Sequence, residues 1–367
     1  MGAIFIKLDG SMPDLKEFLK QIISLPGLSG HEGPVREVIA EAWKPLVDEL
    51  SVSKLGSLHA FKHGQAIAPR PKILLAAHMD AIGLMVTRVT PEGFLYFTEV
   101  GGVDPRILPA QAVTVHARRD LPGVIGQPPD RLLPPHLRGK PVPMSHLVVD
   151  VGLPPEEVQA LVRVGDLISF ATEPLELGED LIAGHTLDDR AAVAAVTTCL
   201  EELKAVNHAW DVIAVATVQE EETLGGGLTS PFEIRPDIAV AIDVTFAKGP
   251  GVNDYRGRGL GKGVSLGWGP NTHPAIFESF KELADRLDLP YEVEVYPRYS
   301  GTDAMGMQIV AEGIPTMVLS IPLRYMHTPV EVVSMKDIRR TGRLLAQFIA
   351  GLTPEFIQKI RWEEENS

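Results

Sequence analysis

Cysteine is almost absent from this 367-residue chain, in which Cys199 stands alone. A single thiol excludes an internal disulfide and suits a reducing compartment, so a cytoplasmic location is expected. Cys199 lies in the helical pattern 190–204 and reads as a small core residue rather than a nucleophile. Basic charge is also scarce: 34 Lys and Arg stand against 48 Asp and Glu, leaving a net charge of −14. Nucleic acid and anionic membrane surfaces both demand a basic footprint, so neither is expected as a partner. The pairs Arg118–Arg119 and Arg339–Arg340 read as solvated faces. No apolar run approaches the ~20 residues of a membrane span. Asp9 and Gly10 interrupt the N-terminus before a secretory layout can form. HExxH is missing too, which excludes a zincin peptidase.

What the chain does hold is two kinds of pattern. Apolar runs 72–77, 211–218, 237–242 and 316–321 are short and unbroken, the mark of strands buried on both faces. Helical spacing covers 14–25, 34–46, 190–204, 275–287 and 334–351. Strands alternating with helices predict an α/β sheet with substantial parallel pairing. Residues 83–172 differ, being rich in Pro and Gly with short alternating pieces at 93–98, 112–117, 147–151 and 167–171. That is the pattern of a small all-β unit. Because α/β patterning brackets it, the expectation is a main domain over 1–82 and 173–367, with 83–172 inserted. Residues 1–11 are expected to form an edge strand or a dispensable leader, and the acidic tail 362–367 to fray.

Five possible metal ligands stand at the ends of separate apolar runs: His78, Asp188, Glu221, Asp243 and His327. In open α/β sheets ligands bind beyond the carboxyl ends of the strands. His78, Glu221, Asp243 and His327 each fall at or soon after such an end, and Asp188 opens a helix, where a carboxylate meets the positive terminus. Singly, each has a plainer reading as a core histidine, a helix cap, a solvated acidic loop or a strand terminator. Jointly, buried carboxylates repel one another unless a cation removes the cost. The set therefore predicts two divalent ions ~3.5–4 Å apart, with Glu220 placed where a general base is needed. Two imidazoles and three carboxylates suit Zn²⁺ first, with Co²⁺ or Mn²⁺ possible. The Gly-rich run 257–263 misses phosphate-loop spacing and is expected to shape a loop near the cleft. Ser29 lacks the second Gly of a nucleophile elbow.

These motifs, with GLSGHE at 27–32, GTDAMGMQ at 301–308 and RYMHTPVE at 324–331, resemble those of the glutamyl, deblocking or tetrahedral aminopeptidases, some of which are labelled endoglucanases. The resemblance implies a three-layer αβα domain of zinc-peptidase type, with a largely parallel mixed sheet and an inserted β-barrel. It implies that Asp188 bridges both ions, that His78 and Asp243 complete one, and that Glu221 and His327 complete the other. Glu220 would be the general base acting on a metal-bridged water. Asp80 would orient the His78 imidazole, and a cis peptide would follow Asp188. Ala191, Glu222–Thr223 and Leu323 depart from the family pattern, which bears on substrate preference rather than on the ligands. The implied activity is removal of N-terminal residues from peptides, by a homo-oligomer between dimer and dodecamer assembled through the insertion. A deacylase or carboxypeptidase-like amide hydrolase is the alternative. A metal-independent endoglucanase would leave both histidines and Asp188 without purpose.

Overall fold

The computed structural model of the chain describes residues 14–252 and 257–362, so the expectations for 1–11 and for most of the acidic tail lie outside the described residues. Four of the apolar runs become the centre of an eleven-stranded sheet, in the order Asp211–Thr217, Lys72–His78, Ile238–Phe246, Thr316–Arg324, all parallel. Their parallel pairing aligns the carboxyl ends: Thr217 sits opposite His78, and Asp243 opposite Ser320. Antiparallel strands border this core, Leu58–Lys62 and Glu49–Val52 on one side and Glu331–Ser334, Leu181–Gly184 and Leu175–Leu177 on the other. Val264–Trp268 pairs antiparallel with Thr316–Arg324 and carries Tyr291–Val295 beside it.

Alternate side chains of each central strand face opposite layers, as the two-residue period requires. Leu75, Ala77, Val212 and Ala214 pack with the helices Leu15–Ile23, Gly33–Trp43, Leu187–Glu202, Pro274–Arg286 and Met335–Gly351. Leu74, Ala76, Ile213 and Val215 pack the other way, against residues of Gly225–Ile234 and Ala304–Gln308. The result is a three-layer αβα arrangement.

Between Lys72–His78 and Leu187–Glu202 the chain forms a closed six-stranded barrel: Gly83–Val89, Leu95–Val100, Val148–Asp150, Asp120–Gly126, Ala112–His116 and Leu167–Phe170. It has its own apolar core, including Leu84, Leu95, Val115, Leu121, Ile125 and Ile168. Two of its strands escaped the sequence pattern. Asp120–Gly126 holds Pro122, which sits opposite Thr114 and cannot donate to the ladder. Gly83–Val89 begins with glycine and follows the site residues too closely to look separate.

Two central strands run past their predicted ends. Ile238–Phe246 continues beyond Asp243, because Val244, Thr245 and Phe246 still pair with Ile321, Pro322 and Leu323. Asp243 therefore projects from within a strand rather than ending it, a correction to the sequence reading.

The helices Leu187–Glu202 and Met335–Gly351 cross closely at Gly342. A Cβ there would lie 2.5 Å from the Ala195 carbonyl oxygen and 2.6 Å from Thr198 Cβ. At an open helical site Gly→Ala gains about 1 kcal/mol. Here Gly342→Ala is expected to lose about 1–3 kcal/mol through overpacking, seen as a lower thermal or denaturant midpoint. Equal or higher stability would show that the crossing tolerates a methyl group.

Candidate metal centre

Buried like charges define the site. His78 is the last residue of its strand and is 3% exposed. Its Nε2 lies 3.2 Å from Asp188 Oδ1 and 3.9 Å from Glu220 Oε2. His327 follows Thr316–Arg324 by three residues, and its Nε2 lies 3.4 Å from Asp188 Oδ2 and 3.5 Å from Glu221 Oε2. Two donor groups result, each with its ligand atoms within 4.8 Å of one another: His78, Asp188 and Asp243, and Asp188, Glu221 and His327. Asp188 is common to both. The structure thus brings all five predicted ligands together, with Glu220 lining the same cavity of about 290 Å³.

The electrostatics follow from burial. Loss of water pushes Glu220 up to about 10 and Asp243 well above the carboxylate range. Burial, then the Asp188 charge, raises Glu221 to about 7. The Asp188 carboxylate holds His327 up at about 9 despite its partial burial. Burial opposes charge on both His78 and Asp188, yet each stabilises the other's ionised form. His78 ends well above its ordinary value, and Asp188, with His327 also beside it, ends below its own. Without a cation, protons must stand in for positive charge. Oxygen and imidazole donors in two convergent groups fit divalent metals.

Further residues hold these ligands in place. Asp80 accepts hydrogen bonds from the Ser29 hydroxyl at 2.6 Å and from the backbone N–H groups of Glu220 and Glu221 at 3.0 and 3.2 Å. Its Oδ1 lies 3.5 Å from His78 Nδ1, at the limit of hydrogen-bond reach, and each group favours the charged form of the other. Asp80 thus ties the GLSGHE loop, the strand end at His78 and the acidic turn into one unit. The Asp188–Asp189 peptide is cis, and Asp189 Oδ2 accepts from the His78 backbone N–H at 3.2 Å.

Glu331 was quoted within a motif but given no role by the sequence. It is 2% exposed and accepts from the backbone N–H of Asp188 at 3.0 Å and of His327 at 2.9 Å, clamping the shared ligand to its neighbour. Arg190 was likewise missed. Fully buried, it donates to the carbonyls of Ile22, of Leu25 at 2.7 Å and of Met79 at 3.1 Å, stitching the end of the first helix to the residue after His78. A charged side chain inside a helical pattern gives no such signal. Left-handed backbone at Thr186, Gln219, Tyr325 and His327 crowds around the ligands, conformations that non-glycine residues hold only under surrounding constraint.

The barrel reaches the site. Gly101 N–H donates to Glu222 at 2.6 Å, and a Cβ on Gly102 would lie 2.8 Å from His327 Nδ1. The Gly-rich run adjoins it too, as Arg258 exchanges backbone hydrogen bonds with Phe246 and Lys248, while Gly261 and Gly263 donate to Asp337.

In the metal-free protein Glu220, Glu221, Asp243 and His327 all bind protons more tightly than in an unfolded chain, so the fold carries the greater number and its stability falls as pH rises. The loss begins above the ordinary aspartate value of 3.8 and runs through about 7, 9 and 10. Asp188 acts oppositely, but its contribution is lost only on acidification below its ordinary 3.8. The melting temperature of chelated protein should drop between about pH 6 and about pH 9, and divalent metal should flatten the decline. A rise over that interval would contradict the burial of these acids.

Comparison with known proteins gives a consistent result. The model of the M42 glutamyl aminopeptidase family matches residues 56–344. A lysyl aminopeptidase of Pyrococcus furiosus is 38% identical over 348 residues, covering 92% of this chain and 97% of that one. An aminopeptidase of the archaeon Desulfurococcus kamchatkensis superposes with a TM-score of 0.88 at 37% identity, over 96% and 99% of the two chains. The TET1 peptidase of Pyrococcus horikoshii, described as able to assemble into a tetrahedron or a large octahedral shell, gives 0.80 at 30% identity over 92% and 100%.

Proposed function

The chain belongs to the M42 glutamyl aminopeptidase family and is an aminopeptidase, and from that premise we propose that it is a metal-dependent enzyme acting through the centre described above. The observation that carries this reading is the pair of three-residue donor groups sharing Asp188. His78 and Asp243 would complete one divalent ion, Glu221 and His327 the other. Zn²⁺ is the first expectation, and Co²⁺ or Mn²⁺ fit the same donors. Bound there, such ions supply a polarised scissile carbonyl and water of lowered pKa.

The protein's own groups do the rest. Glu220 lines the cavity without being needed in either donor group. It is the general base, taking a proton from the attacking water and passing it to the departing amine nitrogen. Asp80 positions His78 and, through two backbone N–H groups, fixes the turn carrying Glu220 and Glu221. Glu331 sets the spacing of Asp188 and His327. The substrate's free α-amino group meets a strongly acidic cavity, which favours cleavage at N-termini over internal bonds.

We further propose residues 1–82 and 173–367 as the hydrolytic domain and 83–172 as an assembly domain, giving a homo-oligomer. The assemblies described for the P. horikoshii relative support this. Among the described residues no helix is long and apolar enough to cross a membrane.

Glu220→Gln should lower turnover of an aminoacyl anilide about 10²–10⁴-fold while leaving metal content, by elemental analysis, unchanged. Chelation should abolish activity in the wild type, and divalent metal should restore it. Near-normal turnover in Glu220→Gln would remove it from the proton-transfer role, and chelator-resistant activity would remove the metals.

A further inference from the structure

Glu294 lines the same cavity but belongs to neither donor group. It comes from Tyr291–Val295, a strand that supplies no ligand. Thr245 Oγ1 donates to Glu294 Oε1 at 2.6 Å, whereas Oε2 is buried with no hydrogen-bond partner. Among the described residues no Lys or Arg forms an ion pair with it, and Arg258 turns instead to Glu292, at 3.6 Å. The cavity lining contains no Lys or Arg.

A buried carboxylate oxygen without a partner is costly, and function is the usual reason one persists. Metals in the donor groups would compensate Asp188, Glu221 and Asp243, and Glu220 takes part in proton transfer. Glu294 has no such compensation. Its position is informative. Thr245 lies two residues beyond Asp243 on one strand, so the two side chains share a face about 6–7 Å apart. A substrate whose α-amino group and scissile carbonyl sit at the donor groups would extend its first side chain along that face. Phe246, Tyr296 and Met326 also line the cavity, with the Tyr296 hydroxyl beside Glu294. Carbon-rich groups beside an unpaired acid match a side chain with a hydrocarbon stem and a cationic tip.

We infer that Glu294 selects N-terminal residues bearing a cationic side chain, lysine or arginine, by accepting the charged tip within the cavity. This rests on the aminopeptidase centre proposed above and adds its substrate class. An acidic first residue would meet Glu294 with like charge and no Lys or Arg in the lining, and so be rejected.

The test compares lysine and norleucine anilides, whose side chains share a four-carbon stem and differ in the terminal charge. In metal-loaded wild type, kcat/KM should favour lysine over norleucine by roughly tenfold or more, with the glutamate anilide poorest. Glu294→Gln should bring the lysine-to-norleucine ratio within about twofold, and Glu294→Asp should retain part of the preference. Calorimetry with L-lysine and L-norleucine, the amino acids such cleavage releases, should show the same order without turnover. Equal wild-type kcat/KM for the pair, or an unchanged ratio in Glu294→Gln, overturns the inference. If Glu294→Gln fails to fold, the wild-type ratio still decides. Failure to cleave any anilide would refute the aminopeptidase centre instead, and the two amino-acid affinities would then decide the role of Glu294.

Discussion

The organising constraint is the cost of gathering acids where water is scarce. Asp188, Glu220, Glu221 and Asp243 occupy one cavity with two histidines, and burial drives most of these carboxylates toward protonation. Folding alone does not reward such a cluster; only bound positive charge does. The parallel core makes the gathering possible, since its aligned carboxyl ends deliver groups from distant parts of the chain to one edge.

Around that cluster lies a tier of buried polar residues whose work is mechanical. Asp80 binds backbone and hydroxyl donors from two other segments, Glu331 binds the backbone of two ligands, and Arg190 stitches the first helix to the strand end at His78. Each is a charged group satisfied largely by backbone, which fixes position more firmly than contacts between long side chains. Site geometry thus depends on residues outside both donor groups.

Legibility in the sequence followed chemistry. Unbroken apolar runs announced the central strands, and amphipathic spacing announced the long helices to within a few residues. His78, Asp188, Glu221, Asp243 and His327 could be picked out because each breaks or follows a run that only a parallel strand or its partner helix explains. Glu331 and Arg190 could not, since nothing in local composition separates a buried backbone clamp from a solvated charge. Edge strands such as Glu49–Val52 are short and largely exposed, so period-2 alternation has no room to register. Glu294 was hidden for the same reason, in a strand whose residues alternate weakly between half-buried and exposed.

The contact of Gly101 and Gly102 with Glu222 and His327 joins two units that appear separable along the chain. The barrel is not an ornament hung on a finished enzyme; the residues that follow its strand Leu95–Val100 lie against His327 and Glu222. Any shift of the barrel is passed, through two side-chain-free residues, to the acidic cavity itself. A substitution that displaces the barrel is therefore felt at the centre as well.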